Sequence, residues 1–372
     1  MHILFAGGGT AGHINPALAI AGYIREQNPD AHISYIGTPD KLEAKLVPQK
    51  GYNFRTIEVA GFQRKLNAKN IKRNIVAAKK AVTASYNAKK ILKELQPDIV
   101  IGTGGYVSGP VLREAAKLGI KNAIHEQNAF PGVTTKMLAK NTDAVMLAMP
   151  QAQKYLKLNK EPIITGNPVR RELLKISRET ARKMLGMDDR PLILSFGGSL
   201  GARRINESVE ELIGWHCNSG KYYHIHATGS IGYKTMLDRM KDKGLSKLPE
   251  NIRIREYIDD MDVCMAAADL VICRAGAITL SELSACGKPA ILIPSPFVAE
   301  NHQFHNAMTL KQAGAAEIIE EKDISGQLLI DTVNSLINDS AKLKQMSQNA
   351  YKNAILDSNE RIYKVIMDLY SR

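Results

Sequence analysis

One arrangement occurs twice in this chain and limits its possible folds more than any other feature. An apolar strand runs straight into a glycine-rich turn, and the turn into an amphipathic helix. His2–Ala6 leads into Gly7-Gly8-Gly9-Thr10-Ala11-Gly12 and a helix over Pro16–Glu26. Leu192–Phe196 leads into Gly197-Gly198-Ser199-Leu200-Gly201-Ala202-Arg203, which opens a helix reaching about Ile213. A buried strand that feeds a helix returns most simply as a parallel neighbour in the same sheet. The surrounding pattern agrees. Strands are expected at His32–Ile36, Asp98–Ile101, Asn122–His125 and Ala144–Leu147, with helices at Pro110–Leu118 and Val133–Ala139. After the second copy come strands Tyr223–Ala227, Ile252–Arg255, Leu270–Cys273 and Ala290–Ile293, with a helix at Thr279–Cys286. The chain reads as α/β, with the rhythm of a doubly wound parallel sheet started twice.

Between the two copies, Glu161–Pro168 carries two prolines and a glycine and reads as a linker or short strand at a domain junction. The stretch Ser340–Tyr370 is helical by composition. A length of 372 residues suits two domains of similar size. In such sheets ligands bind beyond the carboxyl ends of the strands, so a shared site is expected in a cleft between the domains.

Composition excludes several classes. With 44% hydrophobic and 23% charged residues, this is neither a disordered nor a collagen-like chain. Cys217, Cys264, Cys273 and Cys286 form no C-x-x-C pair, so neither a zinc site nor a disulfide framework is signalled, and a reducing cytoplasm fits. No apolar run approaches the ~18–20 residues of a membrane span, and the first residues do not read as a signal peptide. The net charge of +13 is uneven. Residues 1–166 hold 23 basic and 11 acidic side chains, against 27 and 26 in the remainder. The anionic partner is therefore expected on the first half.

Much of that excess lies in residues 61–93, with ten Lys or Arg and no acid: Arg64, Lys65, Lys69, Lys72, Arg73, Lys79, Lys80, Lys89, Lys90 and Lys93. Ile71, Ile75, Ala78 and Val82 recur at helical spacing, with Phe62 and Leu66 upstream. This is an amphipathic basic segment, suited to anionic lipid headgroups at about 1 kcal/mol per basic residue. A solvated helix packed on one side would read the same way. Few aromatics are available to stack on bases, so no nucleic-acid partner is expected.

The glycine turns invite phosphate, because glycine lets the backbone approach closely and a helix N-terminus offers unpaired N–H groups. Gly7–Gly12 matches G-x-G-x-x-G, but a dinucleotide site also needs an acid ending the second strand, and none occurs before Asp40. Gly102-Thr103-Gly104-Gly105 and Gly197-Gly198-Ser199 repeat the design. Three such turns suggest two phosphorylated ligands, one per domain.

Taken together, GGGTAGH (7–13), GTGGYVSGP (102–110), HEQN (125–128), GNPVR (166–170), GGSLGAR (197–203), RAGAITLSE (274–282) and NHQ (301–303) resemble the MurG family over nearly the whole chain and in order. The resemblance implies a GT-B glycosyltransferase, with two Rossmann-like domains facing a cleft. It implies inverting transfer of N-acetylglucosamine from UDP-GlcNAc to the C4 hydroxyl of the muramic sugar of lipid I, giving lipid II, at the cytoplasmic face of the membrane as a peripheral protein. Residues 1–164 would take the acceptor and contact the membrane. Residues 165–354 would take the donor, and a final helix near 355–372 would pack back on the first domain.

The resemblance also distributes roles. Ile258 would meet uracil, and Glu282 the ribose hydroxyls, since a carboxylate only accepts and a diol donates. Ala277, Ile278, Thr279, Leu280 and Ser281 would line the donor at a helix start. Ser199 and Arg170 would balance the leaving diphosphate, with the forked donors of arginine matching phosphate oxygens. Gln303 and Asn128 would read sugar hydroxyls, with Thr10, Ala11 and Gly12 completing the donor set. Gly8, Gly9, Gly104 and Gly105 would hold the acceptor diphosphate. No cofactor or metal is expected. Asp259-Asp260-Met261-Asp262 reads as a helix start capped by Asp260, and helix dipole and arginine would replace a divalent ion. His13, ending the first turn, is the favoured general base. Glu126 is the rival, as base or as orienter of His13. Ala11 stands where the family usually has glycine, so a positive φ there would shift the loop. His224 and His226 share one face of a strand and receive no role.

Overall fold

The structure, a computed structural model, describes residues 1–61, 68–245 and 247–372, with the side chains of 68–76, 78, 79 and 218 outside that description. The chain divides into two units, Met1–Pro168 with Asp357–Arg372, and Val169–Leu356.

The first unit is a seven-stranded parallel sheet. Its strands are β1 (His2–Gly7), β2 (His32–Gly37), β3 (Asn53–Thr56), β4 (Ile99–Gly104), β5 (Lys121–Glu126), β6 (Ala144–Leu147) and β7 (Ile163–Ile164), in spatial order β3-β2-β1-β4-β5-β6-β7. The helices are α1 (Ala11–Gln27), α2 (Glu43–Gln49), α3 (Ala68–Leu95), α4 (Ser108–Lys117) and α5 (Val133–Leu138). Alternation along the strands fills both faces. Ile3, Phe5, Ile33, Tyr35, Ile99 and Ile101 pack against α1 and against Ile362, Val365, Ile366 and Leu369 of the chain's last helix, Ser358–Tyr370. Leu4, Ala6, Ile36, Val100 and Ile124 pack against α3 and α4. Ser340–Tyr370 is thus two helices, not one, and the second belongs to the first unit.

The second unit carries six parallel strands, β8 (Leu192–Phe196), β9 (Tyr223–Ala227), β10 (Ile252–Arg255), β11 (Leu270–Cys273), β12 (Ala290–Leu292) and β13 (Ala316–Ile318), in order β10-β9-β8-β11-β12-β13. Its helices are α6 (Arg178–Leu185), α7 (Arg203–His216), α8 (Tyr233–Asp242), α9 (Met261–Ala267), α10 (Ala277–Ala285), α11 (His302–Gln312), α12 (Gly326–Ile337) and α13 (Ser340–Lys352). In each sheet the strand order reverses once. The reversal falls between β1 and β4 in the first and between β8 and β11 in the second. The glycine turns leave the carboxyl ends of β1, β4 and β8, so the sequence motifs sit where open α/β sheets bind ligands.

Two helix starts differ from the sequence reading. α1 begins at Ala11 rather than Pro16, and α4 at Ser108 rather than Pro110. Pro110 is the third residue of its helix, where the missing N–H has no intrahelical partner to lose. The early start of α1 puts His13 in its first turn.

Candidate active site

In the first unit, the turns after β1 and β4 are stitched together. The Gly8 amide donates to Gly104 O at 3.3 Å, and Gly105 lies so close that a Cβ would stand 2.3 Å from Gly8 O. Gly104 and Gly105 have φ of +109° and +81°, so side chains are excluded there both by space and by backbone. Ser108 Oγ accepts from the Gly104 amide at 3.1 Å and donates to Ala6 O at 2.7 Å. Thr103 Oγ donates to His13 O at 2.8 Å, tying α1 to the second turn.

His13 is oriented by this framework. Its Nδ1 lies 3.1 Å from Gly8 O and 3.3 Å from Thr10 Oγ1. A carbonyl oxygen only accepts, so Nδ1 carries the proton, and in the neutral ring Nε2 keeps its lone pair. Nε2 borders Gly104, where a Cβ would approach to 2.9 Å. Ala11 has no positive φ, so the departure from glycine brings no strain.

Of the four glycines expected to offer amides to the acceptor diphosphate, three use theirs internally. Gly8 bonds Gly104 O, Gly9 donates to Glu43 Oε2 at 3.1 Å, and Gly104 donates to Ser108. Among the described residues the Gly105 amide makes no such bond. The first amides of α1 to find a helical acceptor are those of His13 and Ile14, so Ala11 and Gly12 present theirs outward.

Glu126 is buried at the end of β5 and its carboxylate is saturated. Oε1 accepts from the Asn128 amide and Asn128 Nδ2, both at 3.1 Å, and Oε2 accepts from the Gly132 amide and Thr135 Oγ1. It makes no hydrogen bond to His13, so it does not orient that ring. Its geometry is that of a clamp on the turn entering α5, and Asn128 is part of the clamp. His125 beside it donates from Nε2 to Gly166 O at 3.0 Å and accepts from Gln127, and burial pushes its pKa down.

In the second unit, the turn after β8 uses Gly198 and Gly201, with φ of +98° and +84°. Gly201 rests on Thr228 O, where a Cβ would stand at 2.0 Å, and the Ser230 amide donates to Ser199 O at 3.2 Å. Ser199 is exposed on this turn. Arg170 and Glu282, 112 residues apart in sequence, meet: Arg170 Nε donates to Glu282 Oε1 at 2.7 Å, with the carboxylate buried and the guanidinium half exposed. The structure thus joins the two side chains expected at ribose and diphosphate.

α10 starts at Ala277, and the Leu280 amide makes its first bond, to Gly276 O at 3.0 Å. The amides of Ala277, Ile278 and Thr279 precede that bond. Leu280 has its amide bonded and its side chain in the core, and Ser281 Oγ donates back to Ala277 O. Ile258 is buried, while neighbouring Tyr257 is 58% exposed. Gln303 Oε1 accepts from the Ser295 amide at 2.9 Å, which leaves its NH₂ as the part able to meet a sugar. Asp260 stands at the N-cap of α9, but its carboxylate turns to Arg255 instead of capping. Thr10, Ala11, Gly12 and Asn128 of the expected donor set belong to the first unit.

Two bracing residues were missed from sequence. Arg274 donates to Ile293 O and Pro294 O and pairs with Glu321, and Asn306 Nδ2 donates to Ala275 O at 3.2 Å. Arg274 opens a quoted motif, which was the available signal. Of the basic segment, Phe62, Arg64, Lys65 and Leu66 lie outside the described residues, as do the side chains of Lys69, Ile71, Lys72, Arg73, Ile75, Ala78 and Lys79. In the described part of α3, Ala77, Ala84, Ala88 and Leu92 face the core, whereas Val82 and Tyr86 are 74% and 69% exposed beside Lys89, Lys90 and Lys93.

Two doubly wound sheets, each with glycine turns at its strand-order reversal, form the GT-B architecture, and the family matches make the chain a glycosyltransferase. Residues 3–147 match the glycosyltransferase family 28 N-terminal domain, and residues 192–362 match the corresponding C-terminal domain. The chain is 50% identical over 370 residues to the UDP-N-acetylglucosamine--N-acetylmuramyl-(pentapeptide) pyrophosphoryl-undecaprenol N-acetylglucosamine transferase of Acetivibrio thermocellus, covering 99% of this chain and 98% of that one. It is 45% identical to the protein of that name from Ruminiclostridium cellulolyticum, covering 99% and 100%. Among solved structures, Acinetobacter baumannii MurG superposes with a TM-score of 0.78 at 28% identity, over 99% of each chain. The chain belongs to the MurG family.

Proposed function

We propose that this chain transfers N-acetylglucosamine from UDP-GlcNAc to the C4 hydroxyl of the muramic sugar of lipid I, with inversion, forming lipid II. The unit beginning at Val169 holds the donor. Glu282 accepts from the ribose, while Arg170, Ser199 and the first amides of α10 meet the diphosphate. The unit beginning at Met1 holds the acceptor, with its diphosphate against the amides of Ala11, Gly12 and Gly105.

In the transfer, the C4 oxygen attacks the anomeric carbon from the face opposite UDP. Its proton passes to His13 Nε2, the C–O bond to the β-phosphate breaks, and UDP departs with the bonding electrons. The observation that carries this reading is the hydrogen bond from His13 Nδ1 to Gly8 O, which leaves Nε2 as the proton acceptor. Val82 and Tyr86, standing out of α3 among lysines, support docking on an anionic bilayer, where the lipid-linked acceptor resides.

The test is transfer of labelled sugar to a lipid I analogue, with UDP-GalNAc as competing donor. UDP-GlcNAc is expected to be preferred, and His13→Ala to lose about 10²–10⁴ in kcat with unchanged UDP affinity. Near-normal turnover in His13→Ala would refute the base assignment.

A further inference from the structure

Glu43 is fully buried at the start of α2, and none of the roles above uses it. Three donors converge on its carboxylate. Oε1 accepts from the Thr38 amide at 3.0 Å and Thr38 Oγ1 at 2.8 Å, and Oε2 accepts from the Gly9 amide at 3.1 Å. Among the described residues, no Lys, Arg or His pairs with it. The site is shaped for the group: a Cβ on Gly8 would stand 2.1 Å from Oε1, and one on Gly37 would stand 2.5 Å from Cγ. Two side chains are therefore absent where the carboxylate lies.

A buried anion without a cation is costly unless hydrogen bonds replace its lost hydration. Three N–H or O–H donors do so, and the ionised carboxylate, which only accepts, is the form that suits all three. α1 adds a reason. Its first turn has no acid, and its N-cap Thr10 makes no side-chain cap, so Glu43 supplies the nearby negative charge that a helix N-terminus favours.

We infer that Glu43 is a positioning residue for glycosyl transfer: it locks Gly8 and Gly9 so that the Gly8 carbonyl holds His13 with Nε2 as proton acceptor. The connection is short. Glu43 grips the Gly9 amide and packs on Gly8, and Gly8 O accepts the hydrogen bond from His13 Nδ1. Gly105 also lies against Gly8, where a Cβ would stand 2.3 Å from Gly8 O, so the turn that carries this carbonyl is closely packed. This inference rests on the reading of His13 as base.

Glu43→Gln decides it, because the new NH₂ must face a donor, at Gly9 or at Thr38. With UDP-GlcNAc and a lipid I analogue, kcat is expected to fall about 100-fold, the cost of a small misplacement of a catalytic group. The KM for UDP-GlcNAc and the UDP affinity by calorimetry stay at the wild-type values. In a His13→Ala background, Glu43→Gln should cost less than about threefold more, as for residues acting as one unit. Wild-type kcat in Glu43→Gln, or an undiminished loss on top of His13→Ala, would overturn the inference. Near-normal turnover in His13→Ala alone instead refutes the base assignment. Should circular dichroism show that Glu43→Gln does not fold, Thr38→Val removes only the hydroxyl bond. There, a loss of about fivefold in kcat at unchanged UDP affinity supports the inference, and an unchanged kcat overturns it.

Discussion

Acid should unfold the second unit through a buried chain of histidines. His216 at the end of α7 lies 3.0 Å from His224, Nε2 to Nδ1; His224 Nε2 lies 2.7 Å from Ser195 Oγ, and Ser195 Oγ lies 2.7 Å from His226 Nδ1. All three rings are buried, and the outer nitrogens, His216 Nδ1 and His226 Nε2, have no hydrogen-bond partner among the described residues. Burial pushes His216 and His226 down to about 4, and burial with the neighbouring rings holds His224 well below its ordinary value. A folded-state pKa below the unfolded value of 6.5 means that the unfolded chain takes up protons first as pH falls. The stabilisation from the neutral rings is therefore complete above about pH 6.5 and is lost progressively down to about pH 4. At pH 5 each of the two outer histidines forfeits about 2 kcal/mol, so together they remove about 4 kcal/mol. Trp215, the chain's single tryptophan, stands against His216 and Tyr222 and reports on this unit. Urea unfolding followed by its fluorescence at pH 8 and pH 5 measures the loss. The double variant His216→Gln, His226→Gln keeps polar groups but cannot titrate, and should show a much smaller pH dependence. A wild-type stability that is flat between pH 8 and 5, or an identical slope in the variant, would refute the reasoning.

Three further outcomes follow from the geometry. Glu282→Ala removes the carboxylate that Arg170 holds; on the proposed ribose role, UDP affinity by calorimetry should drop by about 2–3 kcal/mol. An unchanged UDP affinity would contradict the ribose assignment. Ile366→Ala empties a fully buried position between the last helix and the first sheet. It should cost about 2–5 kcal/mol, read as a loss of amide-exchange protection in α1 and β1; protection equal to wild type would count against that packing. Replacing Val82 and Tyr86 by Glu should weaken co-sedimentation with phosphatidylglycerol vesicles while leaving kcat on a soluble acceptor analogue unaltered. Equal binding of both proteins to the vesicles would remove α3 as the docking surface.

Much of the architecture was legible because its signals are local. β6, β8, β9, β10 and β11 fall on the residues their apolar runs marked, and the glycine turns follow the strands that precede them. β3 and β13 escaped notice, since four and three residues on less buried strands carry little pattern. Proline misled at α1, where Pro16 lies well inside a helix it was expected to begin. His13 could be picked out as the polar residue closing a glycine turn, and Glu282 from its motif. Nothing local announced Glu43, which lies in none of the motifs.

Periodicity and turn chemistry report which backbone conformations a segment favours, and these the sequence determined alone: two parallel sheets, with their glycine turns at the carboxyl ends. A side chain's hydrogen-bond partners depend on loops brought to one sheet edge from distant positions. Tertiary structure therefore decided that Glu126 clamps a turn, that Arg170 holds Glu282, that Gly8 orients His13, and that a buried carboxylate lies beneath the first glycine turn. Arg170 with Glu282 and Gly9 with Glu43 meet across 112 and 34 residues, while the Glu126 and His13 bonds are short-range but set by how their turns are folded, and neither kind of pairing is encoded by composition and spacing.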